Sequence, residues 1–194
     1  MNHLIIVAHP NPKSFGKGGI VDTIQKTSEG MGVATRVRDL YEIGFDPILK
    51  PSDFESLQSG KIPEDIQIEQ EHLKWAEMIT IVYPVWWTGF PAILKGYIDR
   101  VFSYGFAYEY VDGIPTGLLK GKKALLFCTT GSPSEIYANN GMQNSMKQIS
   151  DDGIFSFSGI EVLKHTFLGA VPNVDDDTRK EYLREVEKTI KENL

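Results

Sequence analysis

Residues Tyr83 to Tyr108 read YPVWWTGFPAILKGYIDRVFSYGFAY, and the order of residue types in this stretch decides the fold. The run just before it, Met78 to Val82, is apolar and of strand length. Pro91, with its fixed φ and missing N–H, suits the first position of a helix. Behind it Ile93, Leu94, Tyr97, Ile98, Val101 and Phe102 recur at helical spacing. One helix face is therefore expected to be buried while Lys95, Asp99 and Arg100 face solvent. Between strand and helix stand Pro84, Val85, Trp86, Trp87, Thr88 and Gly89. They place two indoles at the carboxyl end of a strand, where open α/β sheets bind their ligands. A single tryptophan is usually a core residue, but two adjacent loop residues do not both turn inward easily. At least one ring is expected to line a cleft.

The rest of the chain repeats the strand-then-helix rhythm. His3 to Ala8 is a continuous apolar run, the pattern of a central strand buried on both faces. It leads into His9-Pro10-Asn11-Pro12-Lys13-Ser14-Phe15, and then a helix capped by Ser14 and ending near Gly30 or Gly32. The N–H groups at that helix start form a ready anion site, with His9, Lys13 and the Ser14 hydroxyl in reach of a phosphate. Gly16-Lys17-Gly18-Gly19 imitates a dinucleotide fingerprint with Asp39 behind it. It stands too far past the strand, however, and Val21 occupies the third glycine position, so it reads as a loosely wound helix start. Val33 to Leu40 alternates like an exposed edge strand. The long connection Tyr41 to Pro63 is expected to cover a site, and Glu64 to Ala76 is helical.

Lys123 to Cys128 is a further buried strand, followed by the small polar loop Thr129-Thr130-Gly131-Ser132-Pro133. Met142, Met146 and Ile149 suggest a helix leading to a last strand, Ile160 to Leu163. Asp175 to Asp177 begin a final amphipathic helix, where acids suit the helix dipole. Five strands alternating with helices predict a doubly wound five-stranded parallel sheet with helices on both faces. With the polar edge strand second, the order is 2-1-3-4-5. The Ser14 loop and the Trp86-Trp87 loop then meet at the switch point between strands one and three.

At 194 residues the chain is expected to form one domain, residues 1–194, without a disulfide or metal staple. A formal net charge of −6 with no basic run disfavours nucleic acid and anionic membrane surfaces as partners. The lone cysteine, Cys128, sits in an apolar run and fits a cytoplasmic location. The apolar amino-terminal run is too short for a signal peptide or membrane span. His3, His9, His72 and His165 show no metal-ligand spacing, so no metal is expected.

Several of these residues together resemble one family. They are His9-Pro10 with Ser14-Phe15, the run Pro84 to Tyr108 with its GFPAILKGYIDRVF core, Thr129-Thr130-Gly131 with Tyr137, and the segment Gly153 to Leu163. The likeness is to the flavodoxin-like NAD(P)H:quinone oxidoreductases of the DT-diaphorase type, including their short bacterial members, and it covers nearly the whole chain. It implies a flavin held at its phosphates by His9, Ser14, Phe15 and Gly16; the His9/Ser14-Phe15 entry and the long Tyr41 to Pro63 connection leave room and cover for an adenylate tail, which favours FAD over FMN. The ring would lie against Pro84, Val85, Trp86, Trp87 and Thr88 and against Thr129, Thr130, Gly131 and Ser132. It further implies a homodimer with the site at the interface, where Trp87 and the partner's copies of Tyr108, Tyr110 and Phe157 shape the substrate pocket. The activity implied is ping-pong hydride transfer from NADPH or NADH through the flavin to a quinone-like acceptor, with azo and nitro compounds as further acceptors.

Tyr137 matches the tyrosine near the flavin's pyrimidine end. Gln143 stands where relatives carry a histidine six residues beyond it, and an amide hydrogen-bonds but takes no proton near neutral pH. Gly16 stands where relatives often carry asparagine, which leaves backbone to replace one side-chain contact. A regulatory flavoprotein ancillary to a potassium efflux system is the alternative from another functional class. A flavodoxin-type electron carrier is a third reading, which the aromatic loop disfavours.

Overall fold

A computed structural model describes residues 1–194. The apolar runs pair as a five-stranded parallel sheet, in the order β2-β1-β3-β6-β7. Its strands are β1 (Asn2–Val7), β2 (Ala34–Asp39), β3 (Met78–Pro84), β6 (Lys123–Thr129) and β7 (Glu161–Leu168). Counting only these strands, the expected order 2-1-3-4-5 holds. Between β3 and β6 the chain also makes an antiparallel hairpin, β4 (Tyr108–Val111) and β5 (Ile114–Gly117). It turns on Asp112 and Gly113, both at positive φ (52° and 78°). An Asp-Gly pair between β-forming residues is the usual chemistry of such a turn, and the sequence reading passed over it.

Seven helices cover the sheet: α1 (Asp22–Gly30), α2 (Pro51–Gln58), α3 (Glu64–Trp75), α4 (Ala92–Val101), α5 (Ser134–Asn139), α6 (Met142–Lys147) and α7 (Asp176–Asn193). Two π-wound segments, Gly16–Val21 and Gln148–Ser156, lead into α1 and out of α6. The first is the loosely wound start that the glycine run predicts. Asp175 caps α7 by accepting the Thr178 N–H at 2.8 Å, worth about 1 kcal/mol for a cap of this kind. No helix is long and apolar enough to cross a membrane.

The three central strands β1, β3 and β6 are mostly apolar because both sheet faces are covered there, while the edge strands β2 and β7 carry Arg36, Arg38 and Lys164. On one face Leu4, Ile6, Ile79, Ile81 and Leu126 pack with Leu73 of α3 and with Leu94, Tyr97 and Val101 of α4. On the other, Ile5, Val7, Val82, Leu125 and Phe127 pack with Ile24 of α1 and with Val186 and Ile190 of α7. Each fully buried aliphatic side chain contributes about 2 kcal/mol by area.

Three expectations are corrected. Pro91 is the residue before α4 rather than its first residue, with extended backbone at ψ 147°. The last strand runs on to Leu168, because His165 and Thr166, polar as they are, lie buried within it. Arg100 does not face solvent. It is 5% exposed and grips Asp53 of α2 with two nitrogens, Nε to Oδ2 at 2.9 Å and Nη2 to Oδ1 at 3.2 Å. Its Nη1 also donates to the Asp46 carbonyl at 2.9 Å and to Asp65 Oδ2 at 2.5 Å. These bonds hold the Asp53 carboxyl below the usual carboxylate range. They tie the long 41–63 connection down onto α4, where Gly96 has no side chain because any Cβ would collide with Pro47.

Candidate functional site

Parallel strands end together, so the loops after β1, β3 and β6 rise from the same edge of the sheet. The three meet in one cleft of about 310 Å³. His9, Ser14, Phe15 and Gly16 line it from the first loop, Pro84, Val85 and Trp86 from the second, and Thr129, Thr130 and Gly131 from the third. The Val85 N–H donates to the Thr129 carbonyl at 2.8 Å, holding the second and third loops together. Thr130 is anchored twice, its N–H donating to the Leu168 carbonyl at 3.0 Å and its hydroxyl to the Ser132 carbonyl at 2.6 Å.

The cleft wall is rich in unused donors. The N–H groups of Phe15, Gly16 and Gly131 make no hydrogen bond within the chain, and such groups beside a helix start favour an anion. The Ser14 hydroxyl accepts the Lys17 N–H at 3.2 Å, opening the first helical turn. His9 Nδ1 accepts the Asn11 N–H at 3.0 Å, so a neutral His9 carries its proton on Nε2. Partial burial, reinforced by the Lys17 ammonium, pushes His9 below the ordinary histidine range. Lys17 is in turn ion-paired to Asp39 at the end of β2.

A second cleft of about 680 Å³ shares His9, Ser14 and Phe15 and continues past Lys13 and Arg179. Both clefts are walled on the far side by Val171 and Pro172. The sequence reading missed these two because it ended the last strand at Leu163. With β7 running to Leu168, the loop after it also belongs to the carboxyl edge.

The Trp86–Gly89 turn is closed by a pair of backbone hydrogen bonds, Trp86 N–H to Gly89 O at 3.2 Å and Gly89 N–H to Trp86 O at 3.1 Å. Its two central residues are Trp87 and Thr88, both left-handed at φ 50° and 59°. Such backbone costs about 1 kcal/mol or more for a residue with a Cβ, most of all a β-branched one. Trp86 turns toward His9, with ring centroids 6.4 Å apart. Trp87 is fully exposed at 101% and lines no part of the cleft. Thr88 faces a separate cavity beside Tyr83.

Ser132, Tyr137 and Gln143 are likewise not among the residues that line the cleft of the single chain. Tyr108, Tyr110 and Phe157 are brought together at another surface, Tyr108 lying 6.1 Å from Tyr110 and 5.2 Å from Phe157 between ring centroids.

Residues 1–190 match the sequence pattern of the family described as having a flavodoxin-like fold. The chain belongs to this flavodoxin-like family. Within it, the chain is 46% identical over 181 residues to an uncharacterized NAD(P)H oxidoreductase of Haemophilus influenzae, covering 93% of this chain and 89% of that one. It is 32% identical over 203 residues to NAD(P)H dehydrogenase (quinone) 1 of Rattus norvegicus, covering 93% of this chain and 73% of the relative. Its fold superposes on that of an NAD(P)H:quinone oxidoreductase from Methanothermobacter marburgensis with a TM-score of 0.86 at 28% identity, over 98% of this chain and 94% of the other. In this flavodoxin-like member, as in doubly wound sheets generally, the cleft lies at the switch point beside β1 and β3.

Proposed function

We propose that residues 1–194 form one flavin-binding domain acting as an NAD(P)H:quinone oxidoreductase. The observation that carries this reading is the meeting of the three loops, those after β1, β3 and β6, in one cleft with free N–H groups on its walls. A flavin suits these residues. Gly131 has no heavy atom within 4 Å of where a Cβ would stand, so its backbone is open to a flat ring. The Phe15 and Gly16 N–H groups, the Ser14 hydroxyl and His9 Nε2 suit a phosphate.

When bound, the flavin supplies hydride acceptance from a reduced nicotinamide and two-electron delivery to an acceptor. The chain's own residues bind and orient. Pro84, Val85 and Trp86 would floor the ring, Thr129 to Ser132 would bound its edge, and the Tyr137 hydroxyl, which does not line the cleft of the single chain, would donate toward developing negative charge. Gln143 adds a hydrogen bond but no proton.

FAD is preferred to FMN because the larger cleft, with Lys13 and Arg179 on its rim, offers room and positive charge for an adenylate tail. NADPH or NADH is the donor, and quinones are the acceptor class, with azo and nitro compounds admitted by a donor that discriminates by shape. A homodimer completes the site, the half-buried Tyr108 and the exposed Tyr110 and Phe157 closing the partner's pocket with Trp87. A cytoplasmic location suits the single buried thiol of Cys128.

The test is direct: purified protein is expected to be yellow, to release a flavin whose mass reads FAD, and to oxidise NADPH with a soluble quinone. Colourless protein that neither FAD nor FMN reconstitutes overturns the reading.

A further inference from the structure

Beneath the cleft a chain of three ionisable side chains crosses the sheet. The Tyr83 hydroxyl lies 2.9 Å from His165 Nε2, and His165 Nδ1 lies 2.9 Å from Asp151 Oδ1. Tyr83 and His165 are 4% and 6% exposed. Asp151, in the π-wound segment after α6, also accepts the Ser150 hydroxyl at 2.6 Å. Its side chain keeps 16% exposure, the chain's edge toward water.

The donors are ordered. Nδ1–H gives to the Asp151 carboxylate, and the Tyr83 O–H gives to Nε2. Cys128 is the residue paired with Tyr83 across β3 and β6, and burial raises both groups so that they stay protonated. Two cations also stand on this side, and one of them, Lys95, is paired to the Asp99 carboxylate at 2.5 Å. The Lys147 ammonium lies 5.9 Å from the Phe167 ring, which stacks on His165 at 4.4 Å, and Lys95 stands across a cavity of about 200 Å³ that Tyr83, Ser150, Thr88 and Gly89 also line.

The location ties this chain to the site. Tyr83 pairs with Cys128 in the sheet, and the next pair along, Pro84 and Thr129, already lines the cleft. Gln143 cannot protonate, and histidine is the side chain whose unperturbed charge change falls near physiological pH.

We propose that Tyr83, His165 and Asp151 form a positioning relay under the flavin loops, in which His165 takes up a proton when the flavin is reduced and releases it on reoxidation. The inference rests on the function proposed above. Hydride transfer moves two electrons and one proton from the nicotinamide, which becomes NAD(P)+, onto the flavin and leaves one negative charge there. The balancing proton comes from solvent to Nε2, and no covalent bond of the protein between heavy atoms changes. Nε2–H then donates to the Tyr83 oxygen, and the Tyr83 O–H turns away from the ring. The same heavy atoms serve both states with the donor direction reversed.

The test is the pH dependence of the flavin's two-electron potential in wild type, H165Q and Y83F, together with nitrogen-15 spectra of the histidine ring at fixed pH. Wild type is expected to show one extra proton in the potential, about 30 mV for each tenfold change in proton concentration. Both variants are expected to lose it while keeping flavin, and Nε2 is expected to be unprotonated in oxidised and protonated in reduced wild-type protein. Should H165Q fail to fold, Y83F keeps the buried ring and carries the test. Unchanged pH dependence in flavin-loaded Y83F, or one Nε2 state in both redox forms, overturns the relay alone. Protein that binds no flavin overturns the relay and the proposed function together.

Discussion

His3 and His165 lie toward opposite ends of the sheet, both buried and both hydrogen-bonded at each ring nitrogen. At the amino end, His3 meets two hydroxyls, Ser28 Oγ at 2.9 Å and Thr80 Oγ1 at 2.7 Å. Neither can balance an imidazolium, and burial pushes His3 down from 6.5 to about 4. Toward the carboxyl end, His165 meets a phenol and a carboxylate, so a positive ring has a counter-charge at hand. Burial is the same in both places. The partner decides whether a histidine is inert packing or a group able to respond to chemistry nearby.

The contrast is most exposed at His3. Replacing it with alanine opens a cavity and strands two hydroxyls, and the variant is expected to lose about 4 kcal/mol of stability by chemical denaturation. Flavin content per folded molecule should not change, and a variant that folds but loses flavin breaks the division between the two ends.

A somewhat smaller effect follows from pH. His3 is neutral when folded, while in the unfolded chain it protonates near its ordinary value of 6.5. Its favourable contribution is therefore complete above pH 6.5 and is lost as pH falls from 6.5 to about 4, where the loss levels at about 3 kcal/mol. Denaturant midpoints measured across that window are expected to follow this limb in wild type and to lack it in His3→Asn.

At the other end the sensitive quantity is binding. Gly131→Leu places a side chain where a Cβ meets nothing within 4 Å, so folding is spared and the cleft is filled. Flavin affinity is expected to fall about 100-fold, near 2.7 kcal/mol, with an unchanged denaturation midpoint. Isothermal titration of flavin-free protein reads the first quantity. Loss of stability without loss of affinity would sharpen the boundary between the two ends in the wrong direction.

The smallest effect is at the turn. Thr88→Gly relieves a β-branched residue held at φ 59° and is expected to raise stability by about 1 kcal/mol. Flavin binding is expected to loosen slightly as the turn gains freedom, which the same calorimetry reports.

The parallel sheet is readable in the sequence because strands covered on both faces need largely apolar runs, and Leu4 to Ala8, Met78 to Val82 with Thr80 as its one polar residue, and Ala124 to Cys128 supply them. Much of the cleft is readable for a related reason. Loops at the carboxyl ends of parallel strands must converge, so placing the strands also places His9, Pro84 and Thr129. What escaped depends on partners distant along the chain. Arg100 looks like a surface residue on its helix until Asp53, 47 positions away, folds over it. His165 has no local signal at all, since Tyr83 is 82 positions away. The hairpin escaped differently. Its strands are four residues each and half-exposed, so they carry little hydrophobic pattern, although Asp112-Gly113 was there to be read.

Trp87 stands wholly in solvent at the tip of its turn, while Trp75 is partly covered and Trp86 leans on the cleft. The chain thereby carries its own optical reporter. Trp87 in the isolated chain emits at the long wavelengths of a hydrated indole, and any second copy that comes to rest over the turn shifts that emission to the blue. Dilution followed by fluorescence thus reads assembly at the site without a label, and Trp87→Phe supplies the blank.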